Sequence, residues 1–210
     1  MKDRLNRDFV ALWLGVAEDG PANAERICRS LLDHYAEPGR HYHTIDHVNH
    51  CLGQARLVTE LVPDVSALNL AIWFHDCVYD PMARDNEARS AELFRKLAAP
   101  VMRPPLVADV ERLVLVTQAG QGPRQADESY MVDIDLSSFG LPWEPFLADS
   151  RAVRAERPDL TDGQYAVQQS RFLNGLLERE SVFSTGFFRA RYEDVARSNI
   201  GRYLEVIQRR

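Results

Sequence analysis

SALNLAIWFHDCVYD, residues 66 to 80, decides how this chain is read. From Ala67 to Val78 only Asn69, His75 and Asp76 interrupt an apolar run. There is no period-two alternation of a half-buried strand, so the segment predicts a helix that is apolar almost all round and therefore central and buried. Pro81 is its expected stop and Ser66 its expected N-cap. His75-Asp76 is the anomaly in it. An unpaired buried carboxylate is costly, so the pair is expected either to be satisfied by neighbouring helices or to bind a metal.

Helical periods continue on both sides. Leu5, Phe9, Leu12 and Val16 mark one amphipathic stretch. Ala24, Ile27, Cys28, Leu31, Leu32 and Tyr35 mark a second, opened by Pro21 and closed before Pro38-Gly39. Thr44 is the expected N-cap of a third, with Val48, Cys51, Leu52, Ala55, Val58 and Val62 as its stripe. DNEARSAELFRKLAA (85 to 99) follows with Asp85 as N-cap, and 105 to 118 make another helix. GQGPRQADES (120 to 129) reads as a loop. A short element at 130 to 139 and helices near 143 to 155, 161 to 180 and 187 to 208 complete the chain. With no repeat and no alternating run, the expected architecture is all-α, one domain over 1–210. The loop near 120 is the one candidate linker, but the chemistry below draws on residues from both of its sides.

Bulk properties narrow the function. The 210 residues are 45% hydrophobic and 27% charged, ordinary for a globular chain. A net charge of -6 and a pI near 5.5 carry no footprint for a nucleic-acid polymer or an anionic membrane surface. Three scattered cysteines, Cys28, Cys51 and Cys77, never form a CxxC pair, which suits a reducing cytoplasm. The N-terminus lacks the apolar core of a signal peptide, and no stretch approaches a membrane span. A cytoplasmic protein with no membrane partner is expected.

HYHTIDHVNH, residues 41 to 50, holds four of the six histidines. If a helix starts near Thr44, His43 and His47, and His47 and His50, share a face. His47 adjoins the apolar stripe and is aimed inward, while His41 and Asp46 face elsewhere. Neighbouring helices are only about 8–10 Å apart, so an imidazole from here reaches His75 and Asp76. In VDIDLSSFG (132 to 140), Asp133 and Asp135 stand in an apolar setting, each a turn or cap residue or else a fourth ligand. Two imidazoles and two carboxylates suit one divalent Mn, Fe, Co, Ni or Zn ion, with positions open for water and substrate.

The order His47, His75-Asp76, Asp135 resembles the HD superfamily of metal-dependent phosphohydrolases. YAEPGRHYHTIDHV, LAIWFHDCVYDPMARDNEARSAEL and DIDLSSFG look like the small bacterial members usually described as predicted metal-dependent HD superfamily phosphohydrolases. The resemblance runs from about Tyr35 to Gly140 and more weakly onward. It implies a helical bundle of the HD/PDEase-like type, with a motif-bearing core at about 22–140 and the C-terminal helices of 141–210 packed on it. YHTIDH is similar to the YHNxxH motif of cyclic-nucleotide phosphodiesterases, which implies His43 as general acid and His47 as metal ligand. DLSS resembles the string carrying their last ligand, which selects Asp135 over Asp133. HDCVYD is similar to the HDxVED of ppGpp hydrolases; Asp80 keeps the second acid and Tyr79 replaces the first, which argues against ppGpp.

The expected activity is therefore hydrolysis of a small-molecule phosphate ester, a nucleotide first among them, by metal-activated water. Asp80, with Glu87, is expected to orient or deprotonate the water, and His43 to protonate the leaving oxygen. Arg40, Arg84 and Arg89, with Arg124 further off, are candidates to fork onto phosphate oxygens, although most arginines are solvated surface residues. No histidine follows His75, so a second Mg or Mn ion would rest on carboxylates alone, and HD-type oxygenase chemistry is disfavoured. The alternatives are a metal-binding HD module that senses a nucleotide or anion without hydrolysis, and a helical domain whose polar cluster is only a core network.

Overall fold

A computed structural model describes residues 2–118, 120 and 122–208. They form ten α-helices: α1 Lys2–Leu14, α2 Pro21–His34, α3 Ile45–Leu57, α4 Val65–Phe74, α5 Asn86–Ala98, α6 Pro104–Leu115, α7 Ala126–Leu136, α8 Trp143–Ala155, α9 Asp162–Leu177 and α10 Gly186–Gln208. Short 3₁₀ turns stand at Thr59–Leu61 and Ser137–Gly140. The all-α expectation holds. No described helix is long and apolar enough to cross a membrane.

The chain resolves into two compact units, 1–132 and 133–210. The division falls inside α7 and not at the loop near 120. That loop is also shorter than expected, since α7 takes residues 126 to 129; Gln121 of it lies outside the described residues.

In the first unit α4 packs against α1, α3, α5 and α6. Ala67, Leu68 and every residue from Leu70 to Phe74 are buried, as its apolar composition predicts. An aromatic seam fastens it: Phe9 of α1 meets the Trp73 edge at 5.0 Å, and Phe74 meets Phe94 of α5 at 5.0 Å. Its boundaries differ from expectation. Asp64, not Ser66, is the N-cap and accepts from the Ala67 amide at 2.9 Å. The helix stops at Phe74, well before Pro81, because side chains take the carbonyls around its end. The Tyr35 hydroxyl donates to Trp73 O at 3.0 Å, and His75 Nδ1 lies 2.9 Å from Ile72 O.

Arg112 of α6 aims α7, pairing with Asp127 at 2.7 Å and Glu128 at 3.1 Å in its first turn. Successive helical residues turn by about 100°, so Asp133 and Asp135 point about 160° apart on α7 and serve different partners. Asp133 is fully buried and accepts from the Ser184 and Thr185 amides, both at 2.7 Å, just ahead of α10. It ties down the turn ahead of α10, whose Phe188 amide is capped by Thr185 Oγ1 at 3.3 Å, and the choice of Asp135 as the ligand candidate is consistent with that.

The second unit is built around α10, which packs on α8, α9 and the 137–140 turn. Gly140 is required there. A Cβ on it would lie 2.5 Å from Cβ of Tyr192, so no larger residue fits without displacing α10. Asn199 of α10 donates to the Phe139 and Leu141 carbonyls at 2.9 and 2.8 Å, closing the same turn.

Burial pushes the Asp133 carboxyl above its usual range, against the pull of the two amides. A raised folded value means the folded state still holds its proton where the unfolded chain has lost it, so stability falls as pH rises through that window. Asp133→Asn removes this pH-dependent component but turns an amide NH₂ toward one of the two backbone donors. The expected net loss is about 1–3 kcal/mol, read by urea unfolding of both proteins across pH.

Candidate metal centre

His75 is the centre of the site and shows how local structure prepares a ligand. It lies one residue past α4, 1% exposed. In the neutral ring, Nδ1–H donating to Ile72 O at 2.9 Å puts the lone pair on Nε2. That Nε2 faces two other groups with electron pairs to offer: His47 Nε2 at 3.2 Å and Asp76 Oδ2 at 3.0 Å. His47 Nε2 and Asp76 Oδ2 are themselves 3.7 Å apart.

His47 reaches this point from the first turn of α3. Thr44 is the N-cap, as expected, accepting from the Asp46 amide at 3.3 Å. His47 is buried with Ile45 and Val48, whereas His41 and Asp46 are exposed. Asp135 joins from α7, and one ligand atom from each of His47, His75, Asp76 and Asp135 lies within 4.8 Å of the others.

These separations fit a bound cation. Ligand atoms about 2.1 Å from one ion lie about 3 Å apart when adjacent and about 4.2 Å apart when opposite. The four-residue set is the one derived from the sequence, and no second group of three or more such residues forms among the described residues. Both His47 and His75 are buried and both aspartates half-buried, so the cluster is open on its carboxylate side.

The remaining expected site residues are placed less uniformly. His43 precedes the N-cap and so is not on α3, yet its ring lies 6.1 Å from that of His47. It stacks on Tyr79 at 4.3 Å with ring planes 27° apart. Tyr79, which stands where a catalytic acid was sought, is thus the surface that orients His43. Asp80 is exposed; its carboxylate accepts from the Met82 amide at 2.9 Å as a turn residue, and its backbone is paired with the Asn86 side chain. Glu87 is half-buried in the first turn of α5, and neither acid belongs to the four-residue cluster. Asp85 holds the expected N-cap position without a side-chain capping bond. Arg84, Arg89 and Arg124 are exposed.

Arg40 departs most from expectation. As a phosphate fork it would need idle donors, but its side chain is 2% exposed and its five N–H groups have partners. Nε and Nη2 bond Glu37 at 3.1 and 3.0 Å, Nη1 bonds the carbonyls of His43 and Asp76 at 3.1 and 2.7 Å, and Nη2 also bonds that of Cys77 at 2.9 Å. Its charge is sandwiched between the Tyr35 and Tyr79 rings, 5.4 and 5.3 Å from their centroids. Gly39, at a φ of +93°, makes the turn that delivers it. Arg40 is a clamp that holds the segment carrying His43 against the segment carrying Asp76. What sequence reasoning missed was this partner set; the only signal was an arginine beside Pro38-Gly39 with aromatic residues near it.

Arg40→Lys keeps the charge but cannot fork onto three carbonyls. It is expected to lower stability of the first unit by about 2–3 kcal/mol and metal affinity by about tenfold, read by urea unfolding and metal titration. Unchanged stability with lost phosphate binding would return Arg40 to the substrate.

Cys28 and Cys77 supply no nucleophile. Burial pushes the Cys77 thiol up to about 12 and the Cys28 thiol up to about 11, so neither is a thiolate near neutral pH. Comparison of the chain with protein-family models, curated proteins and solved structures finds no match.

Proposed function

We propose that this chain is an HD-type phosphohydrolase, cleaving a phosphoester of a small molecule, with a nucleotide the first candidate. The observation that carries the reading is the meeting of His47 Nε2, His75 Nε2 and Asp76 Oδ2 within 3.7 Å, with His75 Nδ1 set on the Ile72 carbonyl. Three potential ligand atoms at that spacing can share one cation. The resemblance of the three motif segments supplies the reaction class. The ion would be one of Mn, Fe, Co, Ni or Zn, since a mixed imidazole and carboxylate set suits each.

His47, His75, Asp76 and Asp135 would hold a divalent ion, which would supply Lewis-acid activation of water and of a phosphoryl oxygen. The chain's own groups do the rest. His43, held by its stack on Tyr79 and by Arg40 at its carbonyl, delivers a proton to the leaving oxygen. Asp76 and Asp135 face the half-exposed side, where substrate enters. Arg84 and Arg89, like Arg124, are exposed and so available to phosphate, and Glu87 is better buried than Asp80 for orienting water.

One observation favours a second reading, a sensor that binds a nucleotide or anion without cleaving it. Asp80, the expected water-orienting acid, is engaged as an exposed turn residue. The test strips the protein with chelator, reloads it with Mn²⁺, Co²⁺, Ni²⁺ or Zn²⁺, and measures phosphate release from nucleoside mono-, di- and cyclic phosphates. Metal-dependent release supports the hydrolase. Saturable nucleotide binding with no release under any metal supports the sensor and overturns it.

A further inference from the structure

The second unit contains a cavity that the metal chemistry does not use. It measures about 450 Å³ and lies between α8, α9 and α10, within the usual size for small-molecule sites. Leu147 of α8 and Val206 and Ile207 of α10 give it an apolar wall. Tyr165 of α9 lines it, is only 5% exposed, and has a buried hydroxyl without a hydrogen-bond partner. A buried unpartnered hydroxyl is costly and rare, so each one calls for an explanation. Burial first, and an interaction with the Tyr203 side chain, keep the Tyr165 phenol protonated, so its hydroxyl is a donor, and no acceptor meets it in hydrogen-bond geometry.

The charges around the cavity point to an anion. Arg154 is engaged: it pairs with Asp162 at 2.9 Å, bonds the Arg157 and Leu160 carbonyls, and covers the Tyr165 ring at 5.0 Å. The Asp162 charge is thereby matched. Arg151 also lines the cavity, is exposed, and makes no ion pair among the described residues. The cavity thus offers an apolar body site, one donor in its wall and one unmatched cation.

We propose that this cavity binds an amphipathic monoanion, a carboxylate on an apolar chain or ring of moderate size, with the carboxylate taking the Tyr165 hydroxyl proton and the Arg151 charge. The apolar part lies along Leu147, Val206 and Ile207. The site is independent of the metal centre, so it stands or falls apart from the hydrolase reading.

Calorimetric titration of the full chain with decanoate and with decanol tests it. Decanoate is expected to bind saturably at one site, at least about tenfold tighter than decanol, which lacks the charge. Arg151→Ala and Tyr165→Phe are each expected to weaken decanoate about three- to tenfold, and Ala155→Trp, which fills the cavity from an exposed position, to abolish binding. Leu147→Trp repeats that block should Ala155→Trp melt early. Absence of saturable decanoate binding, equal binding of the alcohol, or binding untouched by a folded cavity-filling variant would each overturn the proposal.

Discussion

His75→Ala is expected to abolish metal binding by a protein that otherwise stays folded. The imidazole supplies the one ligand nitrogen that lies within 3.2 Å of both other first-unit donors, and Ile72 O presets its tautomer. Loss of an outer partner of a ligand typically lowers affinity about 10–100-fold, and loss of the ligand itself is expected to exceed that. Stability provides a second readout. Free metal at about 100 times its dissociation constant stabilises the wild type by about 2.7 kcal/mol, a rise of about 5–10 °C in melting temperature. That rise should vanish in the variant. Metal content measured by plasma mass spectrometry and melting with and without Mn²⁺ or Zn²⁺ decide the matter. Equal metal content in both proteins would remove the basis of the proposed function.

His43→Ala is expected to give the opposite division: metal retained, turnover lowered by about 10²–10⁴, equivalent to about 2.7–5.5 kcal/mol of barrier. Its ring is stacked on Tyr79 and stands 6.1 Å from that of His47, near the metal cluster but outside it. A proton donor is needed most by a poor leaving group. The loss should therefore be large for a nucleoside phosphate ester and small for a nitrophenyl ester, whose leaving oxygen is stable without a proton. A uniform loss across both would make His43 a packing residue and leave leaving-group protonation without a donor.

Much of this was legible along the chain. The apolar run through Trp73 and Phe74 announced a central helix because burial on all sides leaves no polar face. Thr44 announced the start of α3 and so the inward aim of His47, since a cap and a stripe are local properties. The set His47, His75, Asp76 and Asp135 was chosen on spacing and resemblance, and the structure brings those four together. Other residues were read less well. Ser66 resembled a cap as much as Asp64 does, and the end of α4 at Phe74 depends on donors from Tyr35 and His75 that periodicity does not register.

Residue types, helical period and capping residues therefore determined the helices, because these act within a few residues of chain, and together with the resemblance of the motif segments they marked the metal-ligand candidates. Tertiary structure alone decided that Arg40 is a clamp, that Tyr79 is the platform under His43, and that Asp133 ties the turn ahead of α10 while Asp135 joins the histidines. Each of those roles is a hydrogen bond or ring contact between segments 36 to 52 residues apart or a choice between two faces of one helix. A donor's partner is set by which helices pack together, and no local propensity encodes that.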